Sequence, residues 1–234
     1  MSLFQILAIC GMLSPILYTL MWILGGVLRS DYSHVRDDIS SLFAVGAPRK
    51  WLFNVFIIVS SVLLFIFYLG LHWGLAEGHG SVVGPLIFVI SGFLGVLVAL
   101  FFPLDEGGEI ITYRGKMHLV LVVLSGFLNI IGMVALWFRL SMISIWMDFA
   151  LFSLISAIVS LVLVVVSLVF IKSKYRGLVE RFMVTPYQLY YFVISLMVFL
   201  TNWIYCLVVL VFFVCSTQEN FTEKNEEKRE TVIF

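Results

Sequence analysis

The chain has 234 residues, of which 62% are hydrophobic and 12% charged, with a mean hydropathy of +1.11 and a formal net charge of zero. Soluble domains are about half apolar and about a quarter charged, so a soluble chain of this composition would lack polar surface to cover its core. A soluble globular domain, a disordered chain and a disulfide-rich scaffold are excluded, and the balanced charge gives no case for nucleic-acid binding.

A membrane-crossing helix needs about 20 mostly apolar residues. Six stretches qualify: Leu3–Leu28, Trp51–Gly74, Val82–Phe102, His118–Phe138, Trp146–Ile171 and Leu189–Cys215. The predicted fold is all-α: a polytopic membrane protein with one six-helix transmembrane bundle over residues 1–215. The polar tail, 216–234, has little to bury and is predicted to be disordered. The first stretch has no basic n-region, and its apolar run is too long for a signal peptide. Pro15, Gly25 and Gly26 predict a kink within it. Continuous apolarity excludes a β-barrel, whose strands alternate. Ser91, Gly92 and Gly95, with Ser125, Gly126 and Gly132, predict close packing of the third and fourth spans. Asn54, Asn129 and Asn202 are read as interhelical hydrogen-bond donors or, alternatively, as lining a polar pocket. Trp51, Trp73, Trp137 and Trp146 lie near span ends, as aromatic belt residues do. Cys10, Cys206 and Cys215 have no CxxC spacing and read as buried free thiols.

The connections alternate in character. Loop 1 (Arg29–Lys50), loop 3 (Pro103–Met117) and loop 5 (Lys172–Gln188) are charged, whereas loop 2 (Leu75–Ser81) and loop 4 (Arg139–Ile145) are short. Loops 1, 3 and 5 carry ten Lys and Arg residues; Arg139 and the tail's Lys224, Lys228 and Arg229 make four on the other side. The positive-inside rule then puts loops 1, 3 and 5 in the cytoplasm of a cell inner (plasma) membrane, with both termini outside.

With six spans, the odd-numbered loops share one face, and most unusual polar residues are on it. Loop 1 contains His34, Arg36, Asp37, Asp38, Ser40 and Ser41. It reads as a short interfacial helix or as a segment dipping into the bundle mouth; either it is a solvated loop that caps helices, or Asp37, Asp38 and Ser40 lie against a head group or ion. Loop 3 opens on Phe102-Pro103-Leu104-Asp105. Proline stops the helix there, which leaves Asp105 at a helix C-terminus that disfavours a carboxylate. His118 starts the next span, where the dipole favours a neutral imidazole, and a neutral His near Asp105 suits general-base chemistry or metal ligation; alternatively Asp105 pairs with Arg114, Lys116 or Arg181 and pins loop 3. Glu180 and Arg181 precede the last span. Arg181 is a candidate partner for Asp37, Asp38 or Asp105, or for a lipid phosphate, or else a snorkelling interfacial side chain. Catalytic zinc wants three protein ligands, and this face has only His34 and His118 as histidines, so no metal and no cofactor is predicted. Walker, HExxH and GxSxG motifs are absent. On the other face, Asp148 is expected to pair with Arg139 at the interface.

Four pieces together resemble a known family: Ile39-Ser40-Ser41-Leu42 followed by Gly46-Ala47-Pro48; Phe102-Pro103-Leu104-Asp105; His118; and Gly177-Leu178-Val179-Glu180-Arg181. In order and spacing they resemble the prokaryotic integral-membrane family catalogued as domain-of-unknown-function family 998, over almost the whole chain up to about Cys215. The resemblance implies a six-helix membrane protein with no activity to transfer. It marks Ser40, Asp105, His118, Glu180 and Arg181 as positions to test. More distantly, the arrangement resembles membrane lipid-remodelling hydrolases that pair Ser, Asp and His at a bilayer face, but the chain lacks their HxxxH pair.

The sequence therefore predicts a polar site for a lipid head group or small ligand at the mouth of loops 1, 3 and 5. Asp37, Asp38, Glu180 and Arg181 would bind it. In the enzymatic alternative His118 is the base, polarised by Asp105, and Ser40 or water is the nucleophile of a lipid hydrolase. A small-solute transporter and a structural or regulatory membrane protein are further alternatives. Membrane lipids are the expected partners, and a homo-oligomer is compatible with the sequence.

Overall fold

The computed structural model describes residues 1–106 and 109–230, with side chains described as far as Ile204. Six long helices follow in order: α1 (Leu3–Leu28), α2 (Lys50–Gly74), α3 (Val83–Phe101), α4 (Tyr113–Leu140), α5 (Met147–Phe170) and α6 (Arg176–Glu230). No strand occurs among the described residues. All six are long and apolar enough to cross a membrane, α6 over Arg176–Ile204. The chain is a multi-pass integral membrane protein with an all-α fold. Side chains of the predicted tail, and Cys206 and Cys215, lie outside the described residues.

Each helix packs on its neighbours in sequence, and α1 packs on α6, so the six close into a ring; α2 also reaches α6 across the interior. Successive membrane crossings run antiparallel, and helices consecutive in the chain lie side by side. A capping box starts α1: Gln5 N–H donates to Ser2 Oγ, and Ser2 N–H to Gln5 Oε1 at 2.7 Å. Two of the four orphan donors of that helix end are satisfied in this way. Pro15 lies inside α1 without ending it.

The interior is aromatic. Tyr190 stacks against Phe88 and Phe152, with ring centroids 5.9 Å apart in each pair, and its hydroxyl meets Ser153 Oγ at 2.9 Å. Between α3 and α4, Ser91 Oγ and Ser125 Oγ are 2.8 Å apart, and Asn129 Nδ2 donates to Ser91 Oγ at 2.6 Å. These bonds join the small-residue faces expected to pack closely. Water is absent at this depth, so hydroxyls and amides must find partners on neighbouring helices. Asn202 donates to the Gly74 carbonyl across to α2.

Two helix starts differ from the sequence reading. α4 begins at Tyr113, five residues before His118, because Thr112 caps it by accepting from Gly115 N–H. His118 therefore sits in the second turn rather than at the dipole's end. α6 begins at Arg176, well before Leu189, so Glu180 and Arg181 belong to a helix and not to a loop. The charged first turns are compatible with a helix because loop 1 lies against them and takes up their polar groups.

Arg139, near the end of α4, does not pair with Asp148. It is buried, and its guanidinium donates to the carbonyls of His72, Leu75, His79 and Ser81 and to His72 Nδ1, at 2.7 to 3.1 Å. The last carbonyls of a helix have no intrahelical partners. Arg139 supplies them for α2 and fixes loop 2 at the same time.

Candidate functional site

Loop 1 does dip into the mouth of the bundle. A 3₁₀ turn, Ile39–Leu42, inserts Ile39 and Leu42 among Met21, Phe43 and Phe53, all buried. The segment before it lies on the first turns of α6. The approach there is close, because a Cβ on Gly177 would fall 2.8 Å from the backbone N and C of Asp37. Only glycine at this position lets the two backbones touch.

That contact decides what Glu180 and Arg181 do. Glu180 Oε2 accepts from Ile39 N–H at 2.7 Å. Arg181, 6% exposed, donates to the carbonyls of His34, Asp37 and Gly177 at 2.9, 3.0 and 2.7 Å, and to Tyr32 Oη. Among the described residues Arg181 forms no ion pair with a carboxylate, in contrast to the expected pairing with Asp37, Asp38 or Asp105. Backbone carbonyls took the place of carboxylates because residues 32–37 of loop 1 lie within reach of the guanidinium. Asp38 pairs with Arg176 at 3.1 Å, and Asp37 with its neighbour Arg36 at 2.8 Å. Burial raises the Asp37 pKa, but the hydrogen bonds from Arg36 and Ser33 N–H and the charges of Arg36 and Arg176 outweigh it and leave the carboxyl below its usual range. All four residues predicted to bind a ligand are thus engaged in holding loop 1.

Ser40 and His118 do meet. Their Oγ and Nε2 atoms are 3.2 Å apart, across 78 positions of sequence. His118 is buried and Ser40 half-buried. The other ring nitrogen, Nδ1, lies 2.6 Å from the Phe102 carbonyl. A carbonyl only accepts, so Nδ1 carries the proton of the neutral ring and Nε2 presents a lone pair to the serine hydroxyl. Phe102 has this carbonyl to give because it lies just past the end of α3, where Pro103 blocks the next helical turn.

Asp105 does not polarise His118. Its Oδ2 accepts from the N–H groups of Ile111 and Thr112 at 2.8 and 2.7 Å, and its Oδ1 from Thr112 Oγ1 at 2.6 Å. The Thr112 hydroxyl and N–H, with Ile111 N–H and the charge of Arg114, hold the carboxyl below its usual range against a smaller cost of burial. The carboxylate closes loop 3 and precedes the N-terminus of α4, where an anion is favoured. Loop 3 in turn carries loop 1, since Val45 N–H donates to the Leu104 carbonyl at 3.0 Å. A surface pocket beside this contact is lined by Val45, Asp105, Glu106, Glu109, Ile111, Thr112 and Arg114.

Among the described residues no three His, Cys, Asp or Glu side chains come together as metal ligands. The sequence reading missed the Phe102 carbonyl, for which no residue type is a signal. It also missed Thr112, whose place before Tyr113 is a helix N-cap signal.

No curated protein and no solved structure matches the chain. The family described as "Protein of unknown function (DUF998)" matches residues 12–197, and the chain belongs to that family.

Proposed function

We propose that the mouth formed by loops 1, 3 and 5 takes a lipid head group or a small polar ligand, and that Ser40 and His118 are the groups that meet it. The observation that carries this reading is the contact between Ser40 Oγ and His118 Nε2 on a half-buried turn, with the imidazole oriented from behind by the Phe102 carbonyl. Asp37, Asp38, Glu180 and Arg181 serve the site by fixing loop 1, and Asp105 by fixing loop 3. The excess of basic residues on these loops favours the cytoplasmic side, where anionic lipids attract them.

The test is lipid retention. The protein is reconstituted in nanodiscs of phosphatidylethanolamine and phosphatidylglycerol, extracted, and its bound lipids are measured by native mass spectrometry. Wild type is expected to retain one head-group class. Ser40→Ala and His118→Gln are expected to lose about tenfold in retention, as for loss of one or two hydrogen bonds, with unchanged helicity and melting. Equal retention by all three proteins would contradict the reading.

The fixed tautomer favours a second reading, hydrolysis of a lipid ester. Ser40 Oγ would attack the ester carbonyl while its proton passes to His118 Nε2 and then to the leaving alcohol. Water, giving its proton to the freed Nε2, would next attack the acyl-serine, release the fatty acid and return the proton to Ser40 Oγ. A fluorophosphonate probe distinguishes the two. Covalent labelling of wild type and not of Ser40→Ala supports the esterase; an unlabelled Ser40 removes it and leaves head-group binding.

A further inference from the structure

Two cations of α6, Arg176 and Arg181, hold loop 1, and a histidine shares the surroundings of the buried one, Arg181. The Arg181 guanidinium carbon lies 5.4 Å from the Trp22 ring centroid and 5.5 Å from that of Tyr32. The His34 ring stands edge-on to the same two rings, 5.5 Å from each. The His34 carbonyl accepts from Arg181, so any shift of His34 is felt at the clamp. Both His34 Nδ1 and Arg181 Nε are buried without a hydrogen-bond partner. The Nε2 end of the ring abuts Gly26 of α1, where a Cβ would collide with it.

The titratable and charged groups around this cage are Tyr18 from α1, Arg176, Glu180 and Arg181 from α6, and Arg29 (over the Tyr32 ring and paired with Asp31), Tyr32, Asp37 and Asp38 from loop 1. The three carboxylates are already engaged, Asp37 by Arg36, Asp38 by Arg176 and Glu180 by Ile39 N–H. No ion pair among the described residues joins any of them to the imidazole. A proton on His34 would therefore put a second cation beside Arg181 and leave a buried N–H unpaired.

We propose that His34 makes loop 1 a pH-sensitive lid over the Ser40–His118 pair, closed at neutral pH and released on mild acidification. This rests on the reading of that pair as a ligand site only for its consequence, regulated access; the lid itself stands on the cage. Burial and the Arg181 charge both push the imidazole below its ordinary value. For a histidine whose pKa is lowered in the closed form, closure is fully supported above the ordinary value of about 6.5 and weakens as pH falls below it. The lid carries Ser40 with it, because Ile39, its neighbour, hangs on Glu180.

Amide hydrogen exchange over residues 31–41, in nanodiscs at pH 7.5 and 5.5 and corrected for intrinsic rates, tests the lid. Wild-type protection is expected to fall by up to about tenfold, the limit for one proton over that interval. His34→Phe, which keeps a ring in the cage, is expected to hold its protection at both pH values; His34→Gln replaces it should the phenylalanine variant not fold. His118→Gln, which removes the other histidine of this face together with its contact to Ser40, is expected to keep the wild-type fall between the two pH values, whatever its starting protection. Unchanged wild-type protection, or an equal fall in the His34 variant, would overturn the proposal. No ligand enters this measurement, so a failure of the head-group reading and a failure of the lid are separately visible.

Discussion

Arg139→Met is expected to be the most destabilising single change on the face of loops 2 and 4. Methionine keeps most of the volume and removes every donor. The carbonyls of His72, Leu75, His79 and Ser81 then lose their charged partner together. A buried polar group left unpaired costs about 1–3 kcal/mol, and partial rehydration near the interface limits the sum to about 3–5 kcal/mol. Thermal unfolding in detergent should show a midpoint lowered by about 10 °C. Arg139→Lys is expected to fall between, because one ammonium has three donors and lacks the planar fork that spans these acceptors. A midpoint for Arg139→Met within 2–3 °C of wild type, the size of about 1 kcal/mol, would show that the cage does not hold loop 2.

Gly177→Ala is expected to separate loop 1 from α6. The added methyl meets backbone atoms of Asp37 rather than a side chain that could turn away. Loop 1 must lift, and with it go the bonds to Glu180 and Arg181 and the seat of Ser40 on His118. Overpacking alone costs about 1–3 kcal/mol. The control is Gly95→Ala in α3, where a Cβ would have nothing within 4 Å. Exchange protection over residues 31–41 should collapse in Gly177→Ala and stay at the wild-type level in Gly95→Ala. Equal protection in both variants would mean that loop 1 does not rest on α6 as described.

Hydropathy made the six spans legible, because a bilayer demands long apolar helices and little else in a chain of this kind reads the same way. The grouping of polar residues on one face followed from the alternation of successive loops between the two sides, since loops 1, 3 and 5 are two spans apart. What composition did not show is where the polar groups find partners. Arg181 and Arg139 both end among backbone carbonyls, and His118 is oriented by the carbonyl of Phe102. Every residue has a carbonyl, so no sequence pattern marks the one that matters. The late start assigned to α6 has the same origin. Its charged residues read as a loop before the last span, whereas loop 1 provides the partners that let them stand in a helix. Asp105 and His118 are close in the chain and share a face, which suggested a pair. Thr112 competes for the carboxylate with a hydroxyl and an N–H at once, and holds it.

The central claim is that His118 presents a bare Nε2 to Ser40 while Nδ1 donates to Phe102. The chain has four histidines, so a ¹⁵N-histidine-labelled sample gives a spectrum assignable by single substitutions such as His118→Gln. At pH 7.5 the account predicts the proton of His118 on Nδ1, and an Nε2 resonance that shifts in Ser40→Ala while Nδ1 stays in place. A proton on Nε2, or an Nε2 signal indifferent to Ser40, would contradict it.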